Sequence, residues 1–426
     1  MCASIFALVA SSACALVSRS PSRVTNVKPC SFSERPTLSS NSVNCSLAIG
    51  SVPLVRPYTI VLSKPSTTLL RGLLQNKSIG DHCEPGSVQE CTRRPRSSRM
   101  RVMLDNFLQI LPEVIFDAAE RLGGRCTGRF IPLNAMENRV YDIEMEEGPH
   151  VVIKFYRPGR WERATIQAEH NFLNALEESE IPVVCPLTDD QGDSLFTIHD
   201  VMFAIFPKRP GRLEAEPNTE QLTRLGRFLA RLHNVGAATK DAPRLRLDPH
   251  SYGSEPLKFL LAGNFVPKQL APRYQAIASQ ICEAIAPRFA TVEYVLLHGD
   301  CHSGNILWDR DAPYFIDFDD MLYAPPVQDI WMITGGDDDY GKERREVLLE
   351  AYEEMRPFDR TTLRLVEPLR ALRMMHFAAW IARRWHDGAF KSAFPAFGTE
   401  RYWEEQIEAL ALQLEKVQNQ TTSLFP

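Results

Sequence analysis

The chain has 426 residues, which is enough for two or three domains. Hydrophobic residues make up 44% and charged residues 24% of it, so a sizeable core is available and a wholly disordered or collagen-like chain is excluded. No stretch approaches the roughly 18 consecutive apolar residues of a membrane-spanning helix, and the net charge of −5 argues against nucleic acid as the main partner.

Charge is distributed unevenly along the chain. Residues 1–99 contain 12 Lys+Arg and 4 Asp+Glu, which leaves 36 basic and 49 acidic residues for the remainder. The first segment also contains 19 Ser and six of the ten Cys. We predict that it is a low-complexity extension that is disordered or lies upstream of the true start. The composition is also typical of an organelle transit peptide, which is one alternative, and a small folded module is another.

The segment from residue 103 to residue 207 has the pattern of a small lobe rich in strands. A helix is predicted over residues 104–122, where apolar residues recur at helical spacing and Gly123-Gly124 follows. A second helix is predicted over residues 165–176. Alternating or continuous apolar runs bounded by turn residues predict the strands. These strands cover residues 130–133, 139–144, 151–155, 183–184, 196–198 and 201–206.

Helices dominate after Pro210-Gly211. They are predicted over residues 219–230, 272–286, 342–354, 361–384 and 399–418. A short β-rich island interrupts them at residues 294–297, 305–308 and 314–316. The fold class is therefore α+β, with two lobes: an N-lobe over residues 103–207 and a larger helical C-lobe over residues 208–420.

The β-rich island carries the chemistry. Residues 296–320 read LLHGDCHSGNILWDRDAPYFIDFDD, with Asp300 five residues before Asn305 and Asp317 twelve residues after it. A carboxamide and a carboxylate brought together by a hairpin are oxygen ligands of the kind that Mg²⁺ prefers, with phosphates and water completing its shell. The remaining carboxylate, Asp300, can orient a hydroxyl group and accept its proton.

Other polar residues of this region are predicted to support the site. His298 and His302 are expected to hold the loop through hydrogen bonds, because Mg²⁺ disfavours imidazole. Asp319 and Asp320 are expected to lie behind the ligands or in solvent. Asp329 is predicted to brace the loop from below, with a helix-capping role as the alternative.

The motif H-x-D-x-x-x-x-N, followed by an apolar strand and I-D-F-D, resembles the catalytic loop and metal-binding aspartate of phosphotransferases built like protein kinases. Gly299 replaces the arginine of ordinary protein kinases, which indicates the aminoglycoside and choline kinase-like branch. From residue 104 onward the chain resembles the bacterial stress response kinase A family. The segments that carry this resemblance include NAMENRVYDIE, VVIKFYRPGRW, FAIFP, LHGDCHSGNILW, PVQDIWM and EPLRALRMMHFAAWIARRW.

The resemblance implies a bilobal, protein-kinase-like (aminoglycoside phosphotransferase-like) fold. It further implies an ATP- and Mg²⁺-dependent serine/threonine protein kinase that phosphorylates itself and an unidentified protein substrate in a stress response. A cytoplasmic monomer is expected, with an organelle as the location only if residues 1–99 are a transit peptide. Neither nucleic acid nor membrane is expected as a partner.

The resemblance also predicts the nucleotide-binding residues. Lys154, on an otherwise apolar strand, is expected to bind the α- and β-phosphates of ATP with Glu169 as its ion-pair partner. Glu177 and Glu178 are alternative partners, and a solvent-facing strand lysine is the alternative role. The turn over residues 134–138 contains no glycine and is expected to cover ATP with backbone amides. Ala135 stands where the resembled family has a serine.

Two rival functions use the same residues. A small-molecule kinase acting on an aminoglycoside, choline or homoserine hydroxyl would share the motif and the chemistry. A pseudokinase is disfavoured because the lysine, the base and both metal ligands are all present. The predicted helix over residues 361–384 has a basic region near its end, which either is a solvated face or docks a substrate. This region comprises Arg370, Arg373, Arg383, Arg384 and the adjoining Trp385.

Overall fold

The computed structural model describes residues 60–61, 96–336 and 338–422. Its strands are β1 (Ile60–Val61), β2 (Cys126–Leu133), β3 (Arg139–Met145), β4 (Val151–Phe155), β5 (Phe196–Ile198), β6 (Val201–Pro207), β7 (Arg212–Leu213), β8 (Val295–Leu297), β9 (Ile306–Asp309), β10 (Ala312–Phe315) and β11 (Leu322–Ala324). The first six form one antiparallel sheet in the order β1-β2-β3-β4-β6-β5. The others form two small sheets, β10-β9-β7 and β11-β8.

Helices flank the large sheet and build most of the second lobe. They are α1 (Arg96–Leu108), α2 (Pro112–Ala119), α3 (Arg163–Glu178), α4 (Thr219–Ala238), α5 (Glu255–Ala262), α6 (Ala271–Phe289), α7 (Val327–Thr334), α8 (Asp339–Glu353), α9 (Val366–Arg383), α10 (Gly388–Ala393) and α11 (Glu400–Thr422). Among the described residues, no helix is both long enough and apolar enough to cross a membrane. The predicted α+β architecture with a strand-rich lobe before a helical lobe is confirmed.

Strand β4, in the interior of the large sheet, determines the direction of the Lys154 side chain. Ile153 and Phe155 on β4 are fully buried in the core between the sheet and the first two helices. Successive side chains of a strand point to opposite faces. Lys154 therefore points away from that core, towards α3, and is nevertheless only 7% exposed. The alternative of a lysine reaching solvent is thereby wrong.

The helical lobe begins at a well-defined cap. Asn218 accepts a hydrogen bond from the backbone of Gln221, whose side chain accepts one from the backbone of Asn218. This reciprocal pair satisfies two of the helix's otherwise unpaired N–H groups. The apolar stripe of α4 then packs into the main core with α8.

Several element boundaries differ from the predictions. The helix predicted over residues 104–122 is split, because Pro112 starts a new helix and lacks the N–H that a continuous one would need. Residues 183–184 form a single bridge to Phe315 instead of a strand. The helix predicted over residues 361–384 begins with a 3₁₀ segment, Arg360–Leu365.

The extension also contributes to the first lobe. Strand β1 pairs with β2, and α1 begins at Arg96, seven residues before the predicted lobe boundary. Elements associated with the first lobe therefore begin before residue 103, the boundary predicted from the sequence. The other predictions for residues 1–99 lie outside the described residues.

Candidate active site

Two strand pairings assemble the site in the second lobe. Leu297 at the end of β8 pairs with Leu322 of β11, which lays the segment before Leu322 beside the loop that follows β8. The β9–β10 hairpin returns the chain so that the Ile316 N–H donates to the Asn305 carbonyl at 3.0 Å. Asp317 therefore emerges next to Asn305, as the sequence spacing predicted.

Asp329 holds the loop after β8 from beneath. Its carboxylate is fully buried and accepts hydrogen bonds from the backbone N–H groups of His298 at 3.0 Å and Gly299 at 2.9 Å. His233 Nε2 lies 3.2 Å from the same carboxylate. The ring of His298 in turn hydrogen-bonds the Ile316 carbonyl at 3.0 Å. The predicted bracing contacts of His298 and Asp329 are thus present.

Gly299 is required by both conformation and space. Its φ is +81°, and a Cβ added there would lie 2.5 Å from the Asp320 carbonyl oxygen. We expect Gly299→Ala to lower stability and turnover, because the left-handed penalty of roughly 1–2 kcal/mol is joined by a backbone clash. Gly148→Ala is the matched control, since Gly148 has φ +82° with nothing within 4 Å of its Cβ.

Urea denaturation and a kinase assay on both variants would separate the two effects. Gly148→Ala should lower the free energy of unfolding only by the left-handed backbone penalty, and it should retain activity. Equal losses of stability in the two variants would show that the loop can shift away from Asp320 without cost.

Lys154 is surrounded by carboxylates. Its Nζ lies 3.2 Å from Glu169 Oε1 and 3.3 Å from Asp317 Oδ1, and Asp319 Oδ1 is 3.6 Å away. Of the three candidate glutamates, Glu169 is therefore the one in contact. Burial alone would lower the pKa of Lys154, but the carboxylates, Asp319 foremost, raise it well above its ordinary value. The ammonium group stays charged in the cleft.

Asp319 is more central than predicted. It is 2% exposed, which agrees with the first of its two predicted positions, behind the ligands, and excludes the second, in solvent; it accepts a hydrogen bond from Asn138 Nδ2 at 3.2 Å. Arg160 forms ion pairs with both Asp319 and Asp320. Burial would raise the pKa of Asp319, but the charges of Arg160 and Lys154 hold it well below its usual range.

Asp300 faces a cation from α9. Its Oδ1 lies 2.8 Å from Arg373 Nη2, and its Oδ2 lies 3.5 Å from His302 Nε2. His302 Nδ1 accepts from the Gly304 N–H at 2.9 Å, which is a hydrogen bond to the loop of the kind predicted for His302. Burial acts to raise the pKa of Asp300, but Arg373 and the neighbouring histidines hold it well below its usual range. Asp300 is therefore ionised at neutral pH.

The predicted metal ligands suit Mg²⁺. Asn305 Nδ2 donates to the Asp300 carbonyl at 3.0 Å, which leaves the buried Oδ1 without a hydrogen-bond partner among the described residues. Asp317 has a left-handed backbone, φ 63°, and a side chain that is 45% exposed. The described residues contain no group of three His, Cys, Asp or Glu arranged around a metal. One amide and one carboxylate oxygen fit an ion that takes its other ligands from phosphate and water.

The glycine-free turn lies against α9. Glu137 Oε2 accepts from Trp380 Nε1 at 2.8 Å and pairs with Arg384 Nη2 at 2.7 Å. Asn138 reaches Asp319, as described above, while Ala135 in the same turn is half-buried. Helix α9 therefore links the turn predicted to cover ATP with the loop that carries the predicted base.

Sequence reasoning missed two arginines. Arg160 bridges the lobes, and Arg244 lies 3.5 Å from Glu169 Oε2 and donates to the Asp319 carbonyl at 2.8 Å. The second arginine of the segment YRPGRW, following an apolar strand, was a usable signal for Arg160. Nothing local marked Arg244.

Comparison with known proteins shows the family to which the chain belongs. A profile of the phosphotransferase enzyme family matches residues 129–366. Stress response kinase A of Escherichia coli (strain K12) is 37% identical over 321 residues, which cover 75% of this chain and 97% of that protein. The serine/threonine protein kinase RdoA of Salmonella typhimurium (strain LT2) is 37% identical over 324 residues, with the same shares covered.

A solved structure supports the fold. The amicoumacin kinase hAmiN in complex with AMP-PNP, Ca²⁺ and Ami superposes with a TM-score of 0.55 at 20% identity, covering 70% of this chain and 93% of the other. The two-lobed architecture is thus that of a phosphotransferase. The chain belongs to the phosphotransferase enzyme family and, within it, to the stress response kinase A family.

Proposed function

We propose that this protein is an ATP- and Mg²⁺-dependent serine/threonine protein kinase. The observation that carries the proposal is the convergence of Lys154, Asp317 and Asn305 with an ionised Asp300 in one cleft. The name serine/threonine protein kinase RdoA, borne by a relative, supports a protein acceptor. Autophosphorylation, a cytoplasmic monomer and a role in stress survival are proposed from the family resemblance.

Nucleotide binding is assigned to the first lobe and the cleft. Lys154 would bind the α- and β-phosphates, and Glu169 would hold its ammonium group in place at 3.2 Å. The backbone N–H groups of the turn around Ala135 would cover the phosphates in place of a glycine-rich loop. Because Ala135 has no hydroxyl group, this contact would come from the backbone alone.

Asn305 and Asp317 would hold Mg²⁺ through Oδ1 and a carboxylate oxygen. When bound, the ion neutralises charge on the β- and γ-phosphates and so lowers the barrier to transfer. The hydrogen bond from Asn305 Nδ2 to the Asp300 carbonyl fixes which amide atom faces the cleft. The same hydrogen bond would hold the proposed metal ligand, Asn305, next to the segment that carries the proposed base, Asp300.

Asp300 would accept a hydrogen bond from the acceptor hydroxyl and then its proton. The hydroxyl oxygen forms a bond to the γ-phosphorus as the bond from that phosphorus to the β,γ-bridging oxygen breaks, and ADP leaves. Asp329 keeps the loop in position by accepting from two consecutive backbone N–H groups. Positioning of this kind supplies much of the catalysis in phosphoryl transfer.

The rival acceptor is a small amino alcohol or aminoglycoside. Labelled phosphate from γ-labelled ATP should appear on serine or threonine of protein acceptors, both acidic and basic, and not on a panel of amino alcohols. Asp300→Asn is the control for chemistry at this site. Rapid labelling of an amino alcohol with none of any protein would show that the acceptor has been misassigned.

A further inference from the structure

One face of α9 lies beside Asp300 and the glycine-free turn. Arg373 contacts the Asp300 carboxylate, and two turns further on Trp380 contacts the Glu137 carboxylate of the turn. Between them the ring of His376 stacks on Tyr252 with centroids 4.0 Å apart and planes at 14°. Arg373 and this aromatic pair therefore lie together beside Asp300.

Four arginines lie around His376. His376 is held neutral, because burial and then the charges of four nearby arginines lower its pKa to about 3. The four are Arg383, Arg373, Arg384 and Arg160. Beside His376, burial and the carboxylates of Asp320 and Asp300 raise the pKa of Tyr252 against the opposing charges of Arg373 and Arg160, so both signs of charge are present here. At Arg373 itself, a cationic group of an acceptor would meet like charge, whereas an anionic group would be attracted.

Arg373 differs from its neighbours in what neutralises it. Arg160 pairs with Asp319, and Arg384 pairs with Glu137. Within the described part of the chain, the carboxylate paired with Arg373 is that of Asp300, the proposed base itself. The Arg373 side chain is also 29% exposed, so it is within reach of a bound molecule.

This pairing has a chemical consequence. The guanidinium group of Arg373 lies 2.8 Å from the Asp300 carboxylate, so a group bound to Arg373 is held next to the proposed base. A carboxylate or phosphate group on the acceptor would compete for the same guanidinium fork, which suits both groups. Such an acceptor would bind at Arg373 with its hydroxyl group beside Asp300.

We propose that Arg373 is an acceptor-binding residue that selects a hydroxyl group lying beside an anionic group. Resting on the proposed function, the substrate is a serine or threonine flanked by an acidic or phosphorylated residue. Cationic acceptors of the aminoglycoside or choline type are disfavoured by the same charge.

The test is a matched peptide series in which a serine is flanked by aspartate, phosphoserine, alanine or lysine. For the wild type, kcat/KM should be at least about tenfold higher with an anionic neighbour than with lysine, the factor expected of one charge-assisted hydrogen bond. Aspartate and phosphoserine arms distinguish a carboxylate from a phosphate ligand. Equal use of acidic and lysine peptides by the wild type would overturn the proposal.

Variants of Arg373 isolate its contribution. Arg373→Gln should abolish the charge preference and Arg373→Glu should invert it. Any effect of either change on Asp300 alters all peptides alike and leaves their ratio unmoved. Arg401→Gln is the matched control, since Arg401 on α11 is 86% exposed and pairs with Glu405. Retention of the acidic preference by Arg373→Gln, with Mg-ATP affinity and melting temperature unchanged, would also contradict the proposal.

Small acceptors in the same assay separate this inference from the proposed function. If no peptide is labelled and only anionic alcohols are, the protein-kinase assignment fails while the role of Arg373 stands. If cationic amino alcohols are the acceptors, both are wrong.

Discussion

Asp317→Ala is expected to abolish phosphoryl transfer while the protein stays folded. Asp317 is the exposed carboxylate next to Asn305 and 3.3 Å from Lys154, so its loss removes a predicted Mg²⁺ ligand and leaves the core untouched. Changes to residues that merely support metal ligands lower affinity or activity by roughly 10–100-fold. Loss of a direct ligand should exceed that range, measured as initial rates of transfer at saturating Mg²⁺.

Two further variants sharpen the result. Because Asp317 has φ 63°, alanine carries a left-handed penalty of roughly 1–2 kcal/mol, whereas asparagine tolerates this region. Asp317→Asn therefore tests the charge with less change of backbone preference. Asp311→Ala, which removes an exposed carboxylate at the tip of the same hairpin, is the control and should be active. Near wild-type rates for Asp317→Ala would show that the metal is bound elsewhere.

Asp300→Ala and Lys154→Ala should differ in kind. Asp300→Ala is expected to lower kcat by about 10²–10⁴-fold, the range for a general base, with little change in Mg-ATP affinity. Lys154→Ala should lower both kcat and the affinity for Mg-ATP, because the charge of Lys154 binds phosphate in the ground state and in the transition state alike. The affinity loss should be roughly 10–100-fold, as for a charge-assisted hydrogen bond.

The contrast between the variants is the informative quantity, since any destabilised kinase is slow. Lys154 and Glu169 are both buried, so Lys154→Ala leaves a buried carboxylate without its closest cation, although Arg244 remains 3.5 Å from it. Thermal melting of both variants should accompany the kinetics. If Lys154→Ala bound Mg-ATP as tightly as the wild type, its proposed role would be wrong.

Local sequence patterns were sufficient for several strands, β4 among them, and for the catalytic loop, but they missed β7 and β11. The apolar run of β4 and the turn residues around it predicted its observed bounds, Val151–Phe155, and the placement of Lys154 followed from strand alternation. The Asp300, Asn305 and Asp317 spacing predicted their convergence because a tight hairpin fixes where its two ends meet.

Contacts between distant segments were beyond the sequence. Arg373 contacts Asp300 because helix α9 folds against the loop after β8. Arg160 contacts Asp319 because the segment after β4 folds against the segment after β10. No periodicity links such pairs. The break between α1 and α2 at Pro112 is a different case. The proline was a signal for a new helix, but the prediction followed the apolar period that runs across it, from residue 104 to residue 122.

Calorimetric titration of Mg-ATP into the wild type, Asp300→Ala, Asp317→Ala and Lys154→Ala tests the assignment of the cleft most directly. Each protein is titrated with and without Mg²⁺. Asp300→Ala should bind Mg-ATP like the wild type, Asp317→Ala should lose the dependence on Mg²⁺, and Lys154→Ala should bind weakly in both conditions. Loss of nucleotide binding by Asp300→Ala to the same degree as Lys154→Ala would make Asp300 a metal or structural residue, and the base would then have to be sought at Asp319 or Asp320.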